Sequence, residues 1–161
     1  MVLLKEVYDL AMKYIEKGKL DEAENALQSY LEENPVDAGA YDKLGIVFLK
    51  KGNLEEAKKC FLEALKYDAR LVHALNNLGN IVLKEGQLEL AMSYYKKAVV
   101  IDPNYPPPHN NLAVIYKQLN RYEDFVREIK KAKQLENKQM IYSDKVKLFE
   151  SLKKLWLKFR K

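Results

Sequence analysis

Apolar residues recur at steps of three and four along almost the whole chain, the spacing that places side chains on one face of an α-helix. Leu75, Leu78 and Val82 share such a face. Three of the periodic segments end in a single glycine, which takes the left-handed conformation after a helix without a Cβ clash. These glycines are Gly18, Gly52 and Gly86. The pattern predicts an all-α protein made of short helices joined by tight turns.

The stretch 72–105 is repeated at a spacing of 34 residues. Residues of the same type recur at this offset, and such self-similarity is the signature of a repeat architecture. The matching pairs are Leu78 and Leu44, Gly79 and Gly45, Gly86 and Gly52, Ala91 and Ala57, Tyr95 and Phe61, and Ala98 and Ala64. Weaker copies lie on both sides. We therefore predict one continuous domain, with four helical hairpins in residues 1–139, at 4–37, 38–71, 72–105 and 106–139.

Small residues occupy two columns of this repeat, one on each helix of the hairpin. The first column, beside the leucine, holds Ala11, Gly45, Gly79 and Ala113, and the second holds Ala23, Ala57 and Ala91. Small side chains let two helices approach closely. We expect the two helices of each hairpin to pack tightly together.

The period, the small-residue columns and the prolines Pro35 and Pro103 resemble the tetratricopeptide repeat over residues 4–139. Ala69, Asn120 and Phe125 depart from its pattern, and no repeat has tryptophan in the opening column. The resemblance implies a right-handed α-α superhelix of about nine helices. It also implies a protein-binding scaffold.

Residues 140–161 are predicted to form a separate, amphipathic and basic capping helix that opens with Ser143 as N-cap. This segment has seven Lys or Arg against two acidic residues. Its apolar stripe is formed by Leu148, Phe149, Leu152, Leu155, Trp156 and Phe159. A cap would bury Trp156. Contact of this helix with a membrane or a nucleic acid is a less favoured alternative.

Charge separates the two ends of the chain. Residues 1–37 carry nine acidic and four basic residues, whereas residues 1–139 as a whole are neutral, with 21 of each sign. A uniformly basic surface that could follow phosphates is therefore absent, and we expect no nucleic acid partner. We expect a monomer, but the opposite charges leave end-to-end self-association open as an alternative, structural role.

No pattern of residues indicates catalysis, a metal site, a cofactor or a small-molecule substrate. His73 and His109 lack partners at metal-ligand spacing, and the single Cys60 sits in an apolar column. The first residues do not resemble a leader, and no stretch reaches the length of a membrane span. We therefore expect a cytoplasmic protein that is not an enzyme and that binds a protein or peptide.

By the resemblance, the first helices of successive repeats line a concave groove. The groove residues it implies are Tyr8, Lys43, His73, Asn76, Asn77, Asn80, Lys84, Asn110, Asn111 and Lys117. Asn77 and Asn111 stand 34 residues apart, like the asparagine ladder of the peptide-binding repeats of O-GlcNAc transferase. A side-chain amide offers a donor and an acceptor to a peptide backbone. The alternative is that these asparagines only form a polar helix face.

A second groove known from this family, the carboxylate clamp, is not supplied by the sequence. Asp42 and Ile46 stand where the first two clamp residues belong, and Pro107 and Asn111 stand where cations belong. Only Asn77 fits. We expect no ligand of the EEVD type, and we predict that the groove binds an extended peptide.

Overall fold

The protein is described here by a computed structural model that covers the backbone of residues 2–159 and the side chains of residues 5–147 and 150. This part of the chain contains eight α-helices and no strand. The helices are α1 (Val2–Glu16), α2 (Leu20–Glu33), α3 (Ala38–Lys51), α4 (Leu54–Tyr67), α5 (Val72–Lys84), α6 (Leu88–Ile101), α7 (Pro106–Gln118) and α8 (Tyr122–Phe159). The all-α helical solenoid is confirmed.

The four turns inside the hairpins share one hydrogen-bonding scheme. In each, the residue that follows the left-handed position donates its N–H to the carbonyl five residues earlier, which satisfies a carbonyl at the helix end. These bonds are Lys19 to Tyr14 (2.9 Å), Asn53 to Phe48 (2.9 Å), Gln87 to Val82 (2.9 Å) and Arg121 to Tyr116 (2.8 Å). Gly52 has a φ of 83°, and Asn120, which replaces glycine in the fourth turn, has a φ of 56°. Asparagine tolerates this conformation, so the fourth turn keeps the geometry.

The close approach of the two helices depends on a missing Cβ. A Cβ atom on Gly45 would lie 2.7 Å from the Phe61 ring, and one on Gly79 would lie 2.4 Å from the Tyr95 ring. Both rings are fully buried. The two repeats with alanine in this column have Leu27 and Ile129, which are aliphatic, at the positions that correspond to these rings. Ring size and the small residue therefore vary together along the chain.

By contact density the chain divides into two compact units, Met1–Asp102 and Pro103–Lys161. In the first unit α2 packs on α3 and α4 on α5, so that each hairpin is joined to the next. Lys51 Nζ lies 2.6 Å from carboxylate oxygens of both Asp21 and Glu24, and Lys58 lies 2.8 Å from Glu85. Exposed ion pairs contribute little, so buried apolar contacts hold this unit together.

In the second unit, α7 packs on the first part of α8. Pro106 and Pro107 open α7, in the first turn where no intrahelical donor is lost. His109 is buried, and its Nδ1 lies 2.7 Å from Glu128 Oε2 on α8. Its Nε2 lies 3.2 Å from the Pro103 carbonyl oxygen. This histidine is therefore a structural link within the second unit.

The expected break before the capping helix does not exist. α8 runs for 38 residues without interruption and passes through Ser143, which is not an N-cap. Residues 122–159 contain no glycine or proline. Residues with high helix propensity, such as lysine, glutamine and leucine, dominate residues 133–140, where the repeat pattern becomes weak. The side chains of the predicted apolar stripe, including Trp156, lie outside the described residues. No helix in the part of the chain that is described is long and apolar enough to cross a membrane.

Replacing Gly79 by alanine should destabilise the first unit. Alanine has the better helix propensity by about 1 kcal/mol, but overpacking against the buried Tyr95 ring costs about 1–3 kcal/mol. We expect a net loss in the free energy of unfolding, measured by urea denaturation.

A paired substitution in the preceding repeat provides the control. Gly45→Ala combined with Phe61→Leu copies the alanine and leucine of the first repeat and should be more stable than Gly45→Ala alone. If Gly79→Ala and Gly45→Ala were both more stable than the wild type, the clash with the aromatic rings would be contradicted.

Candidate binding surface

The first helices α1, α3 and α5 are neighbours in the first unit. Lys43 of α3 lies close enough to Tyr8 of α1 to oppose the rise in the pKa of Tyr8 that burial causes. Leu49 of α3 and Asn80 and Lys84 of α5 line one shallow depression of about 360 Å³. We call the exposed and half-buried side chains of these three helices the first-helix face. It contains six of the ten residues that the resemblance assigned to the groove, because Asn76 of α5 is buried.

Adjacent residues on these helices differ sharply in exposure. Asp42 and Asn76, which occupy the same position in successive repeats, are 1% and 5% exposed. The resemblance had assigned Asn76 to the groove, but both side chains lie inside the packed helices. The next residues, Lys43 and Asn77, are half-buried. Asn77 therefore reaches the surface only in part.

Tyr8 is half-buried at one edge of the first-helix face. Its ring packs on that of Tyr30, with the centroids 5.1 Å apart. Burial raises the pKa of the Tyr8 hydroxyl, the carboxylates of Asp37 and Asp42 raise it further, and Lys43 opposes them. The hydroxyl is therefore neutral near pH 7 and can act as donor or acceptor.

Lys43 does not stand alone on this face. Its Nζ lies 3.0 Å from Asp42 Oδ2, while its side chain stays 30% exposed. Asp42 Oδ1 is buried and has no hydrogen-bond partner among the residues that the structure describes. Lys43, which the resemblance assigned to the groove, thus forms an ion pair with a buried carboxylate.

Asn80 is oriented from the second helix of its own repeat. The Tyr95 hydroxyl donates to Asn80 Oδ1 at 2.8 Å, and burial raises the pKa of Tyr95 to about 12, so this donor keeps its proton. Sequence reasoning missed the pair. The preceding repeat has Ile46 and Phe61 at the same two positions. The signal in the sequence was that both residues change together, from an apolar pair in the second repeat to a polar pair in the third.

The remaining predicted residues are distributed over both units. His73 and Lys84 are exposed in the first unit. In the second unit Lys117 is exposed, Asn111 is half-buried, and the Asn110 amide donates to Glu136 of α8 at 2.8 Å. Asn110 is thus engaged within its own unit. That these ten residues form a peptide-binding site remains a prediction.

A second surface feature lies on α8 and was not predicted. Leu135, Ile141 and Tyr142 line a depression of about 500 Å³ together with basic residues. Ile141 and Tyr142 are 54% and 71% exposed. Leu135 lay in the predicted fourth hairpin and Ile141 and Tyr142 in the predicted capping segment, so nothing in the repeat pattern brought these residues together.

The described side chains offer neither a metal-binding cluster nor an activated cysteine. No group of three histidine, cysteine or acidic residues that could hold a metal ion occurs among them. Cys60 is buried, and burial, reinforced by Glu56, raises the pKa of its thiol to about 12. A thiol of this kind is a poor nucleophile.

Comparison with known proteins identifies the repeats. One family model described as tetratricopeptide repeat matches residues 8–57 and 43–106, and a second with the same description matches residues 94–124. No curated protein matches the sequence significantly.

Solved structures with a similar fold include MamA, with a TM-score of 0.76 and 21% identity over 86% of this chain and 81% of that chain. Another is the first TPR of Spaghetti (RPAP3) bound to the HSP90 peptide SRMEEVD, with a TM-score of 0.68 and 19% identity over 73% of this chain and 93% of that chain. At these identities the likeness shows the fold alone.

Cys60 should be unreactive in the folded protein. An unfolded thiol has a pKa of about 8.5, so at pH 8 it is partly ionised, whereas the folded thiol with its raised pKa stays protonated. We expect labelling by DTNB to be at least about a hundred-fold slower in the native state than in urea, since only the thiolate reacts. Equal rates in both states would show that Cys60 is accessible and ionised.

Proposed function

Because this chain belongs to the tetratricopeptide repeat family, we propose that it is a protein-interaction scaffold that holds an extended peptide or partner segment on its first-helix face. It carries no catalytic machinery in this proposal, and it uses no cofactor or metal. The bound segment is a piece of a protein, not a small molecule or a nucleic acid.

The observation that carries the proposal is the placement of two amides on adjacent turns of α5. Asn77 is half-buried, and Asn80, three residues later on the same helix, is oriented by Tyr95. Residues three apart are neighbours on a helix. A fixed amide is suited to a peptide backbone because it pairs with main-chain groups whatever the side chains are. Helices support these groups more firmly than loops would.

Apolar surface beside these amides supports the same reading. Leu49 and Leu83 border the depression that Asn80 and Lys84 also line. Peptide grooves combine such apolar contact area with a few polar groups that fix orientation. The face therefore suits a segment with main-chain groups at the amides and an apolar side chain in the depression.

The similar structure of RPAP3 contains a peptide that ends in EEVD. We do not transfer that ligand. Asp42 stands at a position where the carboxylate clamp needs a cation, and it is buried as half of an ion pair with Lys43. A carboxylate ligand brought there would meet a charge of the same sign.

The same proposal includes a cytoplasmic location. It is supported by the single cysteine of the sequence, which is buried and forms no disulfide. Reduced cysteines are typical of that compartment.

Asn77→Ala should weaken peptide binding without unfolding the protein. The lost hydrogen bonds to a peptide backbone correspond to about 1–3 kcal/mol, or about five- to 150-fold in Kd. The measurement is calorimetric titration with a peptide selected on the full chain from a display library. Gln28→Ala, an exposed amide on α2, is the matched control and should bind like the wild type. Equal Kd values for all three proteins would show that Asn77 belongs to a polar face only.

Asn111, the second amide of the predicted ladder, lies in the second unit and is tested separately by Asn111→Ala. A loss of affinity similar to that of Asn77→Ala is expected if the ladder prediction holds. Unchanged affinity would restrict the peptide site to the first unit.

The charge distribution favours one alternative, a structural role in assembly. Residues 1–37 carry nine acidic and four basic residues, while residues 140–161 carry seven basic and two acidic residues. A basic α8 of one molecule could attract the acidic first repeat of another. Such a contact is heterologous and need not close into a ring.

Light scattering across a salt series tests the alternative. Charges at a surface are screened within about 8–10 Å at physiological ionic strength, so an assembly of this kind should grow at low salt. Reversal of Lys138 and Lys145 to glutamate should abolish it, whereas the same reversal of Lys96 and Lys97 on α6 should not. A constant monomer mass at every salt concentration eliminates assembly and leaves the peptide scaffold.

A further inference from the structure

Asp42 is a buried carboxylate whose hydrogen bonds are incomplete. It is 1% exposed, and its Oδ2 accepts a hydrogen bond from Lys43 Nζ at 3.0 Å. Its Oδ1 is buried and has no partner in the part of the molecule that is described. A buried charged oxygen without a donor loses its hydration and gains nothing in return. Such a group in a folded protein calls for an explanation.

The fold is able to satisfy a carboxylate in this region. Asp37, at the start of the same helix, accepts from the Ala40 N–H through Oδ1 at 2.9 Å and from the Tyr30 hydroxyl through Oδ2 at 2.9 Å. Both oxygens of Asp37 are thus used by its own surroundings. The missing donor at Asp42 is therefore specific to that side chain and is not a general property of α3.

The existing partner of Asp42 can be displaced. Lys43 is the adjacent residue, its side chain is 30% exposed, and its long chain can move its ammonium into water at little cost. A ligand cation that replaced it could offer more donors. A guanidinium presents two parallel N–H groups that match both oxygens of one carboxylate, and an ammonium presents three.

The surroundings favour a cation at this point. Besides burial, the carboxylates of Asp37, Asp42 and Asp9 raise the pKa of the Tyr8 hydroxyl. The Lys43 ammonium is the positive charge that opposes them. The first repeat as a whole is acidic. A negative region of this kind attracts and steers a positively charged segment towards the face.

We propose that Asp42 is the receptor for a basic side chain, an arginine or a lysine, of the peptide bound on the first-helix face. The ligand cation takes the place of Lys43 on Oδ2 and supplies the missing donor to Oδ1. This inference rests on the proposed function and adds specificity to it. Asn77, on the neighbouring first helix, contacts the backbone without regard to sequence, whereas Asp42 selects one residue type.

Panning a library of random nonapeptides against the full chain provides the probe. Peptides that compete with one another for the first-helix face should share an arginine or lysine at one position. Exchange of that residue for citrulline, or for norleucine where it is lysine, should weaken binding about ten-fold or more. Citrulline keeps the shape of arginine but removes the charge.

Two variants connect this effect to Asp42. In Asp42→Asn, which preserves shape, the charged and neutral peptides should bind with the same Kd. In Lys43→Ala, which removes the competing internal cation, the charged peptide should bind at least as tightly as to the wild type. Circular dichroism and melting curves check that both variants are folded before their affinities are compared.

The outcomes separate this inference from the function it rests on. Selected peptides that lose affinity with Asn77→Ala but carry no shared basic residue, or bind Asp42→Asn as well as wild type, overturn the role of Asp42 and leave the scaffold intact. Failure to select any peptide that Asn77→Ala weakens overturns both.

Discussion

The structure depends on how closely the two helices of each hairpin approach one another. At Gly45 and Gly79 this approach requires the absence of a Cβ, because a buried aromatic ring fills that space. The repeats that have an aliphatic side chain in place of the ring have alanine in place of the glycine. The small residue and the side chain that faces it thus change together between repeats. Stacking of such hairpins buries an apolar surface that one hairpin alone could not bury.

The same columns also supply the polar groups of the first-helix face. In the third repeat the core aromatic is Tyr95, whose hydroxyl passes between the helices and holds Asn80. The second repeat keeps Phe61 and Ile46 at these positions, so its face is apolar there. One oxygen atom added to a packing residue therefore supplies a hydrogen bond to an amide on the first-helix face.

Sequence periodicity predicted the repeats, their turns and the solenoid, because buried apolar residues at a fixed spacing leave a strong signal. It could not distinguish Asp42 from Lys43, or Asn76 from Asn77, although one of each pair is buried. Polar residues that are adjacent on a helix look alike in a pattern, and their exposure is decided by the neighbouring repeat. The break before Ser143 was wrong for a different reason. The pattern faded there, but no glycine or proline ended the helix, and loss of periodicity alone does not stop hydrogen bonding along a helix.

The uninterrupted α8 has a geometric consequence. At 1.5 Å per residue its 38 residues extend about 57 Å, against about 20 Å for the 13 residues of α7 that packs beside it. Each residue also turns the helix by about 100°. The direction in which the basic end points is therefore coupled to the number of residues between it and the fourth turn. An insertion of one residue would rotate that end by more than a quarter of a turn, whereas an insertion of seven would nearly restore its direction and lengthen the helix by about 10 Å.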